Sequence, residues 1–292
     1  MMLSRRSLLQ AAAALAAGGT TGTQRMLARA IPHGGEQLPA VGMGTWQTFD
    51  TAKRGALREV MRALFDAGGR AIDSSPMYGR SETTVGEVLA DLGLGTRAFI
   101  ATKVWTSGAE AGIQQMRESI QRLGHVDLMQ VHNLLDWRTH LPALRAWKEA
   151  RTIRYWGITH YSLSAFEEME RIVRAEKPDF VQLPYSVGLR EAEQRLLPAC
   201  AEQGSAVLVM RPFEGGSLFS RVRSRPLPPW AAEIDCTSWA QVFLKFILGH
   251  PAVTCAIPAS ANPAHMADDV RAGFGRLPDA ALRRRMAAEI ST

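Results

Sequence analysis

The sequence is poor in cysteine, and its cysteines are not spaced for a metal or disulfide framework. Cys200, Cys236 and Cys255 form no Cys-x-x-Cys pair, and an odd number of thiols cannot all pair within one chain. Cys255 lies in the apolar run 253–257, so we expect a small buried side chain there. Neither a zinc site nor a disulfide scaffold is therefore expected, and no bound metal is predicted.

Long hydrophobic runs and clustered charge are also lacking. The 292 residues are 46% hydrophobic and 21% charged, values typical of soluble globular proteins. The apolar run 8–17 is about half as long as a bilayer span, so no stable membrane anchor is expected. Lys and Arg outnumber Asp and Glu by 34 to 28, but four of these arginines lie in the first thirty residues, where no acid occurs. That leaves +2 of the net +6 for the rest of the chain, so no nucleic-acid partner is expected.

The first thirty residues have the pattern of an export signal. Ser4-Arg5-Arg6-Ser7-Leu8-Leu9 precedes an Ala-rich apolar run, and Ala28-Arg29-Ala30 offers the small residues of a cleavage site. This pattern predicts a twin-arginine signal peptide over residues 1–30 and a mature domain over residues 31–292. We therefore expect delivery to the periplasm by the twin-arginine export machinery, with cleavage after Ala30.

Beyond residue 30, short apolar runs alternate with amphipathic stretches. The runs cover 41–43, 71–73, 98–103, 128–132, 155–159, 180–183, 206–210 and 254–257. Helical spacing covers 52–67, 81–92, 109–123, 141–150, 164–174, 191–202, 238–248 and 263–272. Eight such pairs in about 250 residues predict an α/β fold, a (β/α)8 TIM barrel. An open doubly wound sheet would need Gly-x-Gly-x-x-Gly after its first strand, and Gly42-Met43-Gly44-Thr45-Trp46 breaks that pattern.

Local signals also mark the ends of several helices. Ser81 and Ser164 are expected to cap the helices that they begin, the latter in a capping box with Glu167. Gly93 and Gly204 are expected to end the helices before them.

Polar side chains close several of the apolar runs. Because the active sites of such barrels lie where strands end, we expect Asp73, Lys103 and His132 to meet at one mouth, with Tyr78 on a loop beside them. The Lys103 ammonium would stabilise the Tyr78 phenolate and lower its pKa, while an ion pair with Asp73 holds the lysine. A proton donor of this kind, beside a histidine that hydrogen-bonds a carbonyl oxygen, suits carbonyl reduction.

Four motifs resemble the aldo/keto reductase family in order and spacing. They are Gly42-Met43-Gly44-Thr45-Trp46, Ala71-Ile72-Asp73-Ser74-Ser75-Pro76-Met77-Tyr78-Gly79, Ala101-Thr102-Lys103-Val104-Trp105 and Val126-Asp127-Leu128-Met129-Gln130-Val131-His132. The resemblance implies that Tyr78 is the general acid, that Lys103 and Asp73 tune it, and that His132 orients the carbonyl of a small-molecule substrate. It also implies an oxidoreductase that exchanges hydride with a nicotinamide cofactor, NADP or NAD.

The same resemblance implies the cofactor contacts. They are expected at Gly44, Thr45, Asp73, Thr159, His160, Gln182, Met210, Arg211, Pro212, Ser260, Asp268 and Asp269. A substrate wall is expected at Trp46, Met77 and Trp105, which lie beside the catalytic residues at the mouth. Trp147, Trp156 and Trp239 are expected to serve in packing alone.

Two departures from the family pattern concern the cofactor. Thr159-His160 stands where the family usually has Ser-Asn, and Ala261 stands where a basic residue is expected to grip the ribose 2′-phosphate. Asp268 and Asp269 would repel that phosphate and accept bonds from a free ribose hydroxyl. We therefore expect less than about 100-fold preference between NADPH and NADH, with Arg211 or Arg271 as the groups able to compensate.

Two other functions remain open at this point. The barrel could bind a nicotinamide nucleotide without turnover, although such a binder has no need of a tuned proton donor. It could also be a metal-dependent hydrolase with His132 and His160 as ligands, although such sites normally need further ligands on the first strand.

Overall fold

Parallel strands form the centre of the protein in the computed structural model, which describes residues 25–291. Within those residues the strands are β1 Ala28–Ala30, β2 Gln37–Pro39, β3 Met43–Gly44, β4 Ala71–Asp73, β5 Phe99–Val104, β6 Leu128–His132, β7 Tyr155–Thr159, β8 Phe180–Pro184, β9 Ala206–Met210 and β10 Cys255–Ala256. The sheet contains β3 to β10 in chain order, and bridges from Val41 to Ala256 and from Gly44 to Ala259 join its two edges. The expected (β/α)8 TIM barrel is confirmed, and it is nearly closed.

Helices connect the strands and contribute the outer core. Their bounds are α1 Gly55–Asp66, α2 Ser81–Leu92, α3 Ala109–Leu123, α4 Trp137–Glu149, α5 Phe166–Glu176, α6 Leu196–Gln203, α7 Ser217–Val222, α8 Trp239–Leu248, α9 Pro263–Asp269 and α10 Ala280–Ser291. In α1 the buried side chains are those at helical spacing, Leu57, Val60, Met61 and Leu64. Burial of this apolar stripe stabilises the helix against its neighbours.

The expected glycine stops are present at the helix ends, whereas the expected serine caps are not formed. Gly93 and Gly204 end α2 and α6 in the left-handed conformation, as expected. The two expected serine caps are wrong. Ser81 directs its hydroxyl to the Thr45 carbonyl, and neither α2 nor α5 has a side-chain cap, although Ser164 lies in the turn before α5.

An antiparallel hairpin of β1 and β2 closes the amino end of the barrel. Ile31 and Leu38 in this hairpin are fully buried, in a cluster that includes Phe99, Tyr155 and Phe180 from the first positions of three barrel strands. Because side chains fill this end, a ligand can approach the interior only from the carboxyl ends of the strands.

Residues 25–30, just before the predicted start of the mature domain, are part of this folded unit. Met26 is buried, and β1 pairs with β2 over its whole length. The Arg29 guanidinium donates to three backbone carbonyl oxygens, those of Leu248, His250 and Val253. The folded unit therefore extends upstream of Ala30. The predicted signal features Arg5 and Arg6 lie outside the described residues.

The three cysteines are free and buried, so the expected burial of Cys255 is confirmed. Burial raises the pKa of Cys200 to about 12. It also raises the pKa of Cys236 to about 12, where nearby charges have a smaller effect than burial. Within residues 25–291, no helix combines the length and the apolar character needed to cross a membrane.

Candidate active site

A large cavity of about 1260 Å³ occupies the carboxyl end of the barrel. Most of the residues predicted for the site line it: Gly44, Thr45, Trp46, Asp73, Met77, Tyr78, His132, Thr159, Gln182, Met210, Arg211, Pro212, Ser260, Asp268 and Asp269. Three predicted site residues, Lys103, Trp105 and His160, lie outside its lining. The strand ends therefore converge on one mouth, as the barrel requires.

A buried ion pair lies at the floor of the cavity. Lys103 is completely buried, and its Nζ donates to Asp73 Oδ2 at 2.7 Å and to the Ser74 carbonyl oxygen at 2.7 Å. Burial opposes the charge of Lys103, but the Asp73 carboxylate and Tyr78 outweigh that effect and raise the pKa of Lys103. Lys103 is therefore an ammonium at neutral pH, although it does not reach the cavity itself.

Tyr78 lies directly above this ammonium. Lys103 Nζ is 4.9 Å from the centroid of the Tyr78 ring. Burial raises the pKa of Tyr78, the charge of Lys103 lowers it, and the net shift is upward. The expectation of a lowered pKa is therefore wrong in its net direction, because desolvation of the phenolate exceeds the help from the lysine. At neutral pH the phenol keeps its proton and can donate it.

His132 is held beside Tyr78 as a neutral hydrogen-bond donor. The two rings are 5.7 Å apart between centroids in an edge-to-face arrangement. Ser75 Oγ accepts the Met77 amide at 3.2 Å and is hydrogen-bonded to His132 Nδ1 at 2.9 Å. With the Ser75 hydroxyl as donor in that bond, the neutral ring carries its proton on Nε2. Burial, followed by the charges of Lys103 and His160, lowers the pKa of His132 to about 3.

A hydrogen-bonded chain links two of the predicted cofactor contacts to Asp73. Thr159 Oγ1 donates to Gln182 Oε1 at 3.0 Å, and Gln182 Nε2 donates to Asp73 Oδ1 at 2.8 Å. His160 is not part of this chain. Its Nδ1 accepts the Ser162 amide at 3.0 Å, and its ring stacks on Tyr161, which lines the cavity in its place. The expected direct contact at His160 is therefore not found in the lining.

Acidic side chains line the far end of the cavity. Asp269 is only 3% exposed, and burial, with the neighbouring Asp268 as a smaller cause, raises the pKa of Asp269 to about 8. Asp268 Oδ1 accepts a hydrogen bond from Gln241 Nε2 at 2.5 Å. Arg211 also lines the cavity.

The position expected to carry the missing cation needs correction. Ala261 is exposed and does not line the cavity, whereas Ala259 and His265 do. The reason is geometric. The Ser260 hydroxyl is hydrogen-bonded to the backbone of Asn262 across Ala261, and in this turn Ala259 and Ser260 line the mouth while Ala261 does not.

Aromatic side chains surround the substrate end. Trp46 is 49% exposed and lines the cavity, while Trp105, at 42% exposure, lies outside the lining with its ring 6.4 Å from that of His132. Asn133 lines the cavity in a left-handed conformation with φ of 52°. Trp239, expected only to pack, also lines the cavity and stacks on Phe243.

Sequence reasoning missed Ser75, Asn133, Trp239 and His265. Ser75 could have been found, because it lies two residues beyond Asp73 in the loop that carries Tyr78. Trp239 and His265 stand in the first turns of α8 and α9, where the helical pattern alone predicts no direction toward the mouth.

Each histidine of the metal alternative has one ring nitrogen in a hydrogen bond, His132 Nδ1 with the Ser75 hydroxyl and His160 Nδ1 with the Ser162 amide. In the part of the chain that the structure describes, no cluster of three or more His, Cys, Asp or Glu side chains is arranged to hold a metal ion.

Sequence comparisons agree with this geometry. The model of the aldo/keto reductase family matches residues 40–288. Methylglyoxal reductase YeaE of Escherichia coli K12 is 30% identical over 243 residues, covering 80% of this chain and 84% of that protein. The uncharacterized oxidoreductase YtbE of Bacillus subtilis is 26% identical over 254 residues, covering 82% of this chain and 84% of its own.

Solved structures show the same fold. An aldo/keto reductase from Klebsiella pneumoniae, in complex with NADP and acetate, superposes with a TM-score of 0.72 at 23% identity, covering 88% of this chain and 93% of that one. The aldo-keto reductase AKR11C1 from Bacillus halodurans, in its holo form, gives a TM-score of 0.74 at 20% identity, covering 92% and 97%.

Proposed function

The chain belongs to the aldo/keto reductase family, and from that premise we propose that Tyr78 donates the proton when the protein reduces a small carbonyl substrate with NAD(P)H. The class of reaction follows from the family, and the proposal concerns the residues that perform it. One observation carries the assignment: the Asp73 and Lys103 pair, 2.7 Å apart, lies beneath a half-buried Tyr78 that opens onto the cavity. A small aldehyde such as methylglyoxal, named for the Escherichia coli relative, is the proposed substrate class.

The side chains divide the reaction between them. When bound, the reduced nicotinamide supplies the hydride that the carbonyl carbon accepts. His132 Nε2 donates a hydrogen bond to the carbonyl oxygen and holds it near Tyr78. Tyr78 then gives its hydroxyl proton to that oxygen, which becomes the alcohol, and the Lys103 ammonium stabilises the phenolate left behind. Asp73 keeps Lys103 in position.

The cavity fits a dinucleotide together with a small substrate. Its volume of about 1260 Å³ exceeds the roughly 300–1,000 Å³ of most small-ligand pockets. Thr159 and Gln182 lie at the catalytic end, where a nicotinamide must be held. Arg211 would bind pyrophosphate oxygens, and Ser260 with Asp268 would contact the adenosine end of the nucleotide. The Klebsiella pneumoniae relative binds NADP.

A Tyr78→Phe variant tests the proton donor. Because only the transferring proton is removed, turnover of methylglyoxal should fall by about 100-fold to 10,000-fold. The dissociation constant of the nucleotide, measured by quenching of tryptophan fluorescence, should stay nearly unchanged. Tyr161→Phe is the matched control, since that phenol also lines the cavity. Near wild-type turnover in Tyr78→Phe would remove Tyr78 from the role.

We propose further that the far end of the cavity favours NADPH over NADH weakly or not at all. A 2′-phosphate there would meet Asp268, Asp269 and the uncharged Ala259, and it would lack charge-assisted bonds worth about 1.5 to 3 kcal/mol each. Because these three side chains offer the 2′-phosphate no cation, the preference for NADPH should stay below about 100-fold.

Two lysine substitutions test the nucleotide preference through binding alone. Ala259→Lys should tighten NADPH binding by about tenfold or more relative to NADH, because the new ammonium faces the cavity. Ala261→Lys is the matched control: it adds the same charge to the same loop outside the lining, and it should change the ratio little. A strong NADPH preference in the unmodified protein would contradict the proposal and point to Arg211 or His265 as a phosphate ligand.

We propose that the protein is exported by the twin-arginine machinery to the periplasm, with Arg5 and Arg6 as the recognised pair. Because Met26 is buried and Arg29 binds three carbonyl groups, we place processing upstream of Met26 and not after Ala30. Arg5→Lys with Arg6→Lys should retain the unprocessed chain in the cytoplasm. Periplasmic delivery of that double variant would overturn the export proposal, and N-terminal sequencing of the mature chain locates the cleavage.

A further inference from the structure

A second amide, from Gln130, reaches the catalytic carboxylate from inside the barrel. Gln130 lies on β6, directly opposite Lys103 in the sheet register, and both side chains are fully buried. Gln130 Nε2 donates to Asp73 Oδ1 at 3.1 Å, on the oxygen that also accepts Gln182 Nε2 at 2.8 Å. Lys103 binds the other oxygen, Oδ2, at 2.7 Å.

This arrangement divides the two oxygens of Asp73 between neutral amides and an ammonium. Since the carboxylate accepts a bond on each side from a different strand, its plane cannot rotate without breaking one of them. The orientation of Asp73 in turn fixes Lys103, which has no other carboxylate partner within residues 25–291. Tyr78 therefore depends on a lysine whose position is set by three strands.

We propose that Gln130 is a positioning residue for the proton donor, one that holds and partly neutralises Asp73 so that Lys103 acts on Tyr78. This inference rests on the proposed role of Tyr78 as general acid. Gln130 touches neither the cavity nor the reacting atoms, and it acts through Asp73.

The electrostatic consequence has a definite sign. The negative charge of Asp73 raises the pKa of Tyr78, whereas Lys103 lowers it. The N–H dipoles of Gln130 and Gln182 point at Asp73 and reduce the negative potential that it exerts on the phenol. Removal of one amide should therefore raise the pKa of Tyr78 further. The other titratable group that faces Tyr78 is His132, which is neutral there.

The oxygen atom of the same amide also supports the proposal. Gln130 Oε1 is buried and has no hydrogen-bond partner in the described residues. An unpaired buried carbonyl oxygen destabilises a fold, and an apolar side chain of the same size would avoid that loss. Packing alone therefore does not account for an amide at this place, while the bond from its nitrogen to Asp73 does.

The test is a Gln130→Met variant, which keeps the volume and removes the donor. For methylglyoxal reduction we expect kcat to fall by about tenfold with KM changed by less than about threefold. The alkaline limb of the kcat profile, which reports Tyr78, should move to higher pH. Met129→Leu is the matched control, since that buried side chain lies on the same strand and faces the outer core. Met129→Leu should leave the alkaline limb of the kcat profile at its wild-type pH.

An unshifted alkaline limb and wild-type kcat in folded Gln130→Met would overturn the inference. If that variant does not fold, as judged by thermal unfolding, Gln130→Asn is measured instead; its shorter amide cannot span the 3.1 Å bond, and the same upward movement is expected. The two proposals fail separately. Active Tyr78→Phe defeats the general-acid assignment, whereas inactive Tyr78→Phe with an unshifted Gln130→Met defeats only the role of Gln130.

Discussion

Burial of the Tyr78 phenol determines how the two directions of the reaction respond to pH. Its pKa is raised from 10.0, because desolvation exceeds the effect of Lys103, so the protonated form persists through neutral and moderately alkaline pH. Carbonyl reduction needs that protonated form, and alcohol oxidation needs the phenolate. His132 adds no acidic limb near neutrality, since its pKa is lowered to about 3.

We therefore predict opposite pH dependences in the two directions. Reduction should be flat from mildly acidic pH upward and fall only above about pH 10, whereas oxidation of the alcohol product should still be rising there. Steady-state kcat/KM against pH in both directions measures this, and Tyr78→Phe gives the background. A reduction rate that falls already near neutral pH would show that another group delivers the proton.

Three of the four catalytic residues were predictable because each one closes a recognisable apolar run, and Tyr78 because it stands in the motif that resembles the family. Asp73, Lys103 and His132 stand at or near strand ends, and a barrel brings such positions to one mouth. Gln130 carried a signal of the same kind that was missed: it lies two residues before His132, so the alternation of a strand turns both side chains into the barrel. The net direction of the Tyr78 pKa shift could not be predicted from the sequence, because it depends on how far the phenol is buried.

At the scale of elements, the strands and long helices were predictable and the pieces that close the barrel were not. The predicted bounds of α2 and α3 match the structure, because their apolar residues keep a period of 3.6 and a glycine ends each of them. The hairpin of β1 and β2 was missed. Each of its strands has three residues, too few for a clear alternation, and its stability comes from contacts with the barrel interior.

The contacts of Arg29 allow a direct test of the hairpin. Arg29→Ala removes the guanidinium that donates to the carbonyl of Leu248, the last residue of α8, and to those of His250 and Val253 just after it, so we predict a loss of about 2 to 3 kcal/mol in the free energy of unfolding. Urea unfolding followed by circular dichroism measures it. The exposed Arg25→Ala is the control, and it should change stability little. An equal loss in both variants would contradict a specific role for β1.

At the scale of the whole molecule, the barrel is sealed at one end and open at the other, and the two ends differ in chemistry. The closed end carries ion pairs such as Arg70 to Glu36, while the open end carries Tyr78, His132 and Asp269, whose pKa values are altered mainly by burial. His132, the proposed partner of the substrate carbonyl, therefore also contributes to the pH dependence of stability.

His132 makes this dependence measurable. Its pKa is lowered from the ordinary histidine value of 6.5 to about 3 in the folded protein, so only the unfolded chain takes up the proton between those values. A lowered pKa of this kind contributes stability above pH 6.5 that is lost as the pH falls, by up to about 1.4 kcal/mol per pH unit. His132→Asn keeps an acceptor for the Ser75 hydroxyl and cannot be protonated, so its unfolding free energy should fall less steeply through this window. The exposed His265→Asn is the control, and it should follow the wild-type slope. Parallel curves for wild type and His132→Asn would show that His132 is not held neutral by burial, and they would remove the basis for its role as a neutral donor.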